Sequence, residues 1–280
     1  MTGSSVLTLS GSKVGWIGTG VMGLSMATRL QEESVNLFIH NRTKEKAKDL
    51  LEKGAVWIER PSELIEEVDI IFMMVGLPED VQSCVFGEVG FLKSEEDLSG
   101  KVVVDMTTSS PSLASKVGES LGKRGILSLD APVSGGDIGA VNGTLSIMVG
   151  GDETGFHKLK NFWECIGSVT HEIDSKTHDL LMSQTSHIAH LMSYIFVKSL
   201  PQSILNENLP LLLGGGIKEH IRLSKSNPQM WTDIFLNNKS NIIKTLSRIQ
   251  KNTEIIKGLI QTSNKTEIKS LLKSTCSKTK

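Results

Sequence analysis

The apolar positions of this chain follow two rhythms. In the front half they come as short, nearly continuous runs. KVGWIG (13–18), VNLFIH (35–40), DIIFMMV (69–75), KVVVDM (101–106) and ILSLDA (126–131) read as buried strands, and SIMVGG (146–151) as a further one. Segments with helical spacing lie between them, near 22–32, 43–53, 61–66, 79–85 and 111–124. Apolar strands that alternate with helices predict a parallel sheet covered on both faces.

From about residue 176 the rhythm is helical, without strand signals. One helix is expected over 177–200, stopped by Pro201. Gly214, Gly215 and Gly216 break the chain before a short helix at 217–225. Asn227 followed by Pro228 is an N-cap with proline at the first helical position. A long helix to about 261 should follow. In it Phe235, Ile242, Ile249 and Ile256 recur every seven residues, with Leu246 and Ile260 between. Such a seam wants a helix across from it, within the domain or on a second copy of the chain; the second is favoured, so a homodimer is expected. The lysine- and serine-rich stretch 262–280 is expected to fray, and the first dozen residues to form a flexible leader.

Charge and glycine place a boundary between the rhythms. Of the 280 residues, 1–166 carry 15 Lys+Arg against 23 Asp+Glu, net −8. Residues 167–280 carry 15 against 8, net +7. Of the 26 glycines, 21 lie before residue 167. The expected domains are therefore 13–166 and 167–261. The basic half suits an anionic small molecule; its charge is spread along helices without interleaved aromatics, which argues against nucleic acid. No apolar run reaches the roughly 18 residues of a membrane span. Cys84, Cys165 and Cys276 lie far apart, so neither a metal site nor a disulfide framework is expected, and a reducing, cytoplasmic compartment fits.

The most specific motif is GTGVMG, Gly18–Gly23, placed where the first strand opens the first helix. In that context G-x-G-x-x-G is a dinucleotide fingerprint. Gly18 allows the tight turn, Gly20 lets backbone approach a pyrophosphate, and Gly23 lets helix pack on sheet. Val21 and Met22 complete the helix opening that faces the phosphates. After the second strand, an NAD enzyme usually offers a carboxylate to the ribose 2′-hydroxyl. Here stand Asn41, Arg42, Thr43 and Lys44, which suit a 2′-phosphate, so NADP is expected over NAD. The fold expectation is a Rossmann-type doubly wound, mostly parallel sheet followed by an all-α domain.

GTGVMG, HNRT (40–43), MVGLPEDV (74–81), DMTTSSP (105–111) and DAPVSGGDIGAVNGTLSIMVGG (130–151) together resemble the β-hydroxyacid dehydrogenases, which include 3-hydroxyisobutyrate dehydrogenases and glyoxylate or succinic-semialdehyde reductases. The resemblance covers 13 to about 166. It implies that Leu77 and Pro78 line the cofactor cleft, that Thr108 sits near the nicotinamide, and that Ser134, Gly135 and Gly136 bind a substrate carboxylate. A hydroxyl with glycine N–H groups can cradle an anion. It also implies a catalytic lysine and a nearby asparagine, but the matching positions hold Met182 and Thr185. Lys176 lies almost two helical turns earlier, a poor substitute.

From His178 to about 260 the chain is similar instead to the helical, dimer-forming domain of prephenate and arogenate dehydrogenases, through HDLLMSQTSHIAHLMSYIFV and LLLGGGIKEHIRLSKSNPQMWTDIFLNNKSNI. That resemblance implies His190 at the substrate, with His187 beside it, and Arg222 paired with a substrate carboxylate. Ala189 replaces the usual proline of the histidine motif. The family's principal histidine, from the front domain, falls on Ala131, and its neighbouring serine on Thr108. Each half thus lacks the ionisable group that its own family uses.

Three functions are weighed. The first is NADP-dependent hydride transfer between cofactor and a small hydroxy or oxo carboxylic acid. Ser134, Gly135 and Gly136 would hold the carboxylate, and His190, or less readily His187, would move the proton. The second is prephenate-type oxidative decarboxylation, with Arg222 as the anchor. The third is cofactor binding with little or no catalysis.

Overall fold

The computed structural model describes residues 9–165, 169–201 and 214–277. Residues 1–8 of the expected leader, the composition break at 166–167 and the end of the tail lie outside them. Two compact units divide the chain between His178 and Asp179.

The first unit is built on one sheet. Its strands are β1 (Lys13–Ile17), β2 (Asn36–His40), β3 (Val56–Trp57), β4 (Ile70–Met73), β5 (Val102–Asp105), β6 (Leu127–Asp130), β7 (Val133–Ser134), β8 (Ser146–Gly151) and β9 (Val169–Glu172). The spatial order is β3-β2-β1-β4-β5-β6-β8-β7, with β9 on β8. The first six are parallel, β6–β8 and β7–β8 are antiparallel, and β8–β9 is parallel. The order 3-2-1-4-5-6 is that of a dinucleotide-binding doubly wound sheet, whose ligand crevice lies outside the strand C-termini where the order reverses.

Why these strands read so clearly is visible in their burial. Ile70, Phe72, Val102 and Val104 enter one core; Ile71, Met73 and Val103 enter the other. Successive residues point to opposite faces, and both faces are covered, so every position is apolar. The helices of this unit are α1 (Val21–Glu32), α2 (Lys48–Glu52), α3 (Pro61–Glu67), α4 (Pro78–Phe86), α5 (Pro111–Gly122), α6 (Gly136–Asn142) and α7 (Glu153–Cys165). α3, α4 and α5 each start on proline. The Ser110 hydroxyl caps α5 by accepting from Leu113 N at 3.2 Å. Against the first core, Phe72 meets Trp163 of α7 edge-on at 5.4 Å and Trp16 in a stack at 5.8 Å.

Five elements here escape the sequence reading. β3 and β7 are two residues each, too short for periodicity. β9 is polar and largely exposed, so it carries no apolar signal. It lies within the stretch whose composition predicts helix, yet it joins the sheet because its backbone, not its side chains, supplies the pairing. α6 is rich in glycine. α7 does carry a signal: Leu159, Phe162 and Trp163, all fully buried, sit at helical spacing.

The second unit is helical. The chain enters it through α8 (Ser175–Met182), a π-helical turn at Ser183–His187, and α9 (Ile188–Ser199). α10 (Gly215–Ser224), α11 (Pro228–Asn237), α12 (Lys239–Gln261) and α13 (Lys265–Ser277) follow. Asn227 caps α11 as expected, accepting from Met230 N at 3.2 Å. The single long helix to 261 is instead two, broken at Asn238, whose buried side chain donates to the Asp179 carbonyl at 2.7 Å. The tail expected to fray forms α13. Asn264 caps it through Glu267 N at 3.2 Å, and Ile268, Leu271 and Leu272 give it an apolar stripe. Along the heptad seam Ile242 is buried, while Ile256 and Ile260 are 39% and 62% exposed. No helix of the described residues is long and apolar enough to cross a membrane.

Candidate functional site

The Gly18 turn lies at the C-terminal end of β1. Gly18 has φ +97°, and a Cβ there would overlap the Met74 carbonyl oxygen, so only glycine fits. A Cβ on Gly23 would likewise overlap the Gly18 carbonyl oxygen, which lets α1 start tight against the turn. A Cβ added at Gly20 would meet nothing within 4 Å, so the space on that side of its backbone is open to approach. Gly20 is the N-cap of α1 and supplies no side-chain cap. The first N–H groups of α1 and its positive dipole end therefore remain for an anion. Val21 is 75% exposed and Met22 half-buried at this opening.

The end of β2 is tied to this turn. Asn41 Oδ1 accepts from Thr19 N at 3.2 Å, and Asn41 Nδ2 donates to the Thr43 carbonyl at 2.7 Å. Asn41 thus shapes the loop, while Arg42 and Thr43 are exposed. Arg42 Nη1 meets Asp80 Oδ1 at 3.1 Å. Asp80 comes from α4, 38 residues away, and its Oδ2 accepts from Leu77 N at 3.1 Å. One carboxylate therefore caps the helix that begins Leu77-Pro78 and holds Arg42. The Thr19 hydroxyl is buried with no protein partner among the described residues.

At the end of β5 stands a buried acid, Asp105. Its Oδ1 accepts from Thr107 N at 2.9 Å, and the Thr107 hydroxyl accepts from Val75 N at 3.1 Å. Burial pushes the Asp105 carboxyl up to about 6, against the opposing effect of hydrogen bonds from Thr107. Thr108, next in line, is exposed. Ser134, Gly135 and Gly136 are exposed as well, with Gly135 at φ +133° opening α6. Ala131, the position of the missing histidine, is fully buried. Cys84 of α4 is no nucleophile: burial first, then the charges of Asp80 and Asp105, pushes its thiol up to about 12.

In the helical unit the two histidines differ. His190 stacks on Trp231 with ring centroids 3.7 Å apart. It hydrogen-bonds the Leu223 carbonyl, while its Nδ1 is buried without a protein partner, so Nε2 carries the proton. Burial lowers its pKa most and Arg222 adds to this; the Leu223 bond and Glu219 act the other way. His187 sits edge-on to Trp231 at 6.2 Å, and its Nδ1 lies 3.3 Å from Asn238 Nδ2, which donates to it. Arg222 forms a fork with Glu219, Nε to Oε2 at 2.9 Å and Nη2 to Oε1 at 2.6 Å. Met182 ends α8, and Thr185 lies in the π turn, its hydroxyl spent on the Leu181 carbonyl. Lys176 is exposed.

Residues beyond the sequence reading thus take part: Asp80, Asp105, Thr107, Glu219, Trp231 and Asn238. Asp105 had a visible signal, an acid closing the all-apolar strand VVVD, since carboxylates are rarely buried without purpose. The others become neighbours only through the fold.

The strand order, the Gly18 turn and the uncapped α1 define a nicotinamide-dinucleotide-binding domain. The chain belongs to the family of the NAD binding domain of 6-phosphogluconate dehydrogenase, which it matches over residues 13–175. Residues 174–274 match the dimerization domain of prephenate dehydrogenase. The chain is 43% identical over 155 residues to the 2-hydroxy-3-oxopropionate reductase of Escherichia coli, a match covering 55% of this chain and 52% of that protein. Matches of this kind span about half the length of the curated relatives. In fold it resembles prephenate dehydrogenase of A. aeolicus, solved with hydroxyphenyl propionate and NAD+ (TM-score 0.76, 21% identity, 97% of this chain and 98% of that one). It also resembles 3-hydroxyisobutyrate dehydrogenase of Salmonella typhimurium (TM-score 0.60, 22% identity, 85% and 88%). The two-family composition read from the sequence is therefore borne out.

Proposed function

We propose that this protein is an NADP-dependent oxidoreductase that moves a hydride between the cofactor and a small hydroxy or oxo carboxylic acid. The observation that carries the reading is the Gly18 turn opening onto an uncapped α1, with Arg42 beside it at the end of β2. The helix opening takes the pyrophosphate, and Leu77, Pro78 and Thr108 line the rest of the cofactor. Arg42 and Thr43, with Asn41 shaping their loop, take the 2′-phosphate. Ser134 and the N–H groups of Gly135 and Gly136 take the substrate carboxylate.

When bound, the nicotinamide accepts or supplies the hydride. A proton must then leave or reach the substrate oxygen. His190 is the better group for it: a neutral imidazole at pH 7 whose buried Nδ1 lone pair has no protein partner among the described residues. His187 has its Nδ1 engaged by Asn238. A second substrate carboxylate would share Arg222 with Glu219. The protein acts as a homodimer in the cytoplasm, the exposed end of the Ile256–Ile260 seam lying against its copy. Sedimentation at twice the chain mass checks the dimer, and a monomer refutes it.

The fold likeness to prephenate dehydrogenase favours a second reading, oxidative decarboxylation; against it, Ala131 offers no base. The deciding experiment measures turnover with NADP+ and NAD+ on hydroxyisobutyrate, prephenate and arogenate, and with NADPH and NADH on succinic semialdehyde and glyoxylate. Turnover on hydroxyisobutyrate, succinic semialdehyde or glyoxylate with NADP(H) preferred is expected. Turnover on prephenate or arogenate alone selects the second reading. Cofactor binding without turnover on any of them leaves a dinucleotide-binding protein that does not catalyse.

A further inference from the structure

The C-terminal ends of β1, β4 and β5 lie side by side. Between the first and the last sits a single peptide plane, the one joining Met74 to Val75. Its carbonyl oxygen closes against Gly18, where any side chain would overlap it. Its N–H donates to the Thr107 hydroxyl at 3.1 Å. A peptide unit is planar and stiff, so holding one edge holds the other. Thr107 thereby acts on the dinucleotide turn through one rigid link.

The Thr107 hydroxyl is itself held. It is 2% exposed, accepts from Val75 N and donates to the Asp105 carboxylate, so its one proton and one of its two lone pairs are used. Asp105 Oδ1 also accepts from Thr107 N at 2.9 Å. Asp105 is only 6% exposed, and an ionised carboxylate at such a place is costly to bury. A neutral side chain would pack there without that penalty. What the acid adds is direction: it accepts the hydroxyl proton and turns the oxygen lone pair toward Val75 N–H.

We propose that Thr107, oriented by Asp105, is a positioning residue for the dinucleotide, fixing the Met74–Val75 peptide and through it the Gly18 turn in the shape that receives the pyrophosphate. Thr107 is buried and does not itself reach the ligand; its exposed neighbour Thr108 faces outward. The idea rests on the reading of the Gly18 turn as the cofactor site.

The test compares Thr107→Val, Thr107→Ser and Asp105→Asn by NADPH fluorescence titration, with thermal unfolding of the ligand-free protein as the structural readout. Thr107→Val leaves the Val75 N–H unpaired and should weaken NADPH binding on the order of ten-fold, while Thr107→Ser, which restores the hydroxyl, should return Kd to within about three-fold of the parent. If Thr107→Val unfolds at a lower temperature but binds NADPH unchanged while folded, the residue is structural only and the proposal is overturned. If Thr107→Ser binds as poorly as Thr107→Val, the hydroxyl is not the agent, and it is overturned again. Should Thr107→Val not fold, Asp105→Asn carries the test: a weaker Kd supports the proposal and an unchanged Kd ends it. Failure of the parent protein to bind either NADPH or NADH would instead remove the cofactor reading itself.

Discussion

At the Gly18 turn the groups proposed to meet a ligand are backbone N–H groups, held by strand ends and by Gly18 and Gly23, where a Cβ would overlap a carbonyl oxygen. Around His190 they are side chains, gathered from α9, α10 and α11 and packed on one indole ring. The first arrangement depends on local chain geometry, the second on how helices pack. A backbone site fails outright when a Cβ enters it, and otherwise yields only to changes that release its peptide planes. A side-chain site fails one function at a time. The two regions should therefore respond differently to substitution.

Four experiments probe that contrast. The largest effect is expected in the helical unit: His190→Ala should lower turnover about 10²–10⁴-fold, with Kd for NADPH unchanged. Steady-state kinetics beside fluorescence titration separates the two, and unaltered turnover would remove His190 from the chemistry. Gly18→Val should do the opposite, weakening NADPH binding by on the order of 100-fold through strain at positive φ and overlap with Met74. Retained binding would mean that the turn is not the phosphate site.

The third experiment reads Asp105 by pH. Its folded pKa lies near 6, above the ordinary 3.8. The folded state thus holds this proton more tightly than the unfolded chain. Its ionisation lowers stability as pH rises from about 4 through about 6, by roughly 3 kcal/mol in all. Asp105→Asn should flatten that limb in denaturant unfolding across pH 4–8; an unchanged limb would show that folding does not shift this carboxyl. The smallest effect is at the rim: Arg42→Ala should weaken NADPH about ten-fold and leave NADH nearly unchanged. An equal effect on both cofactors would break the link between Arg42 and the 2′-phosphate.

The same contrast explains what is legible in the chain in advance. Gly18, Gly20 and Gly23 lie within six residues, so spacing alone exposes them. β1, β4 and β5 are legible because burial on both faces makes their runs nearly continuous in apolar residues, and β2 and β6 carry shorter runs of the same kind. Trp231 lies 41 residues from His190, and Asp80 lies 38 from Arg42. No local pattern links such pairs. The bond between Thr107 and Val75 joins two strand ends, and it is invisible for the same reason. α13 escapes notice because its lysines and serines outweigh Ile268, Leu271 and Leu272, although these three share a stripe.

The π turn at Ser183–His187 gives the helix from α8 to α9 one residue more than regular winding would allow. Each residue of an α-helix advances the azimuth by about 100°. Rewinding this turn to α with all of its residues kept would rotate all of α9 by that angle relative to α8. His190 would leave the face of Trp231, and a different side chain would take its place. The winding of this short segment is therefore a switch of phase, able to retire one set of side chains and present another without altering any of them.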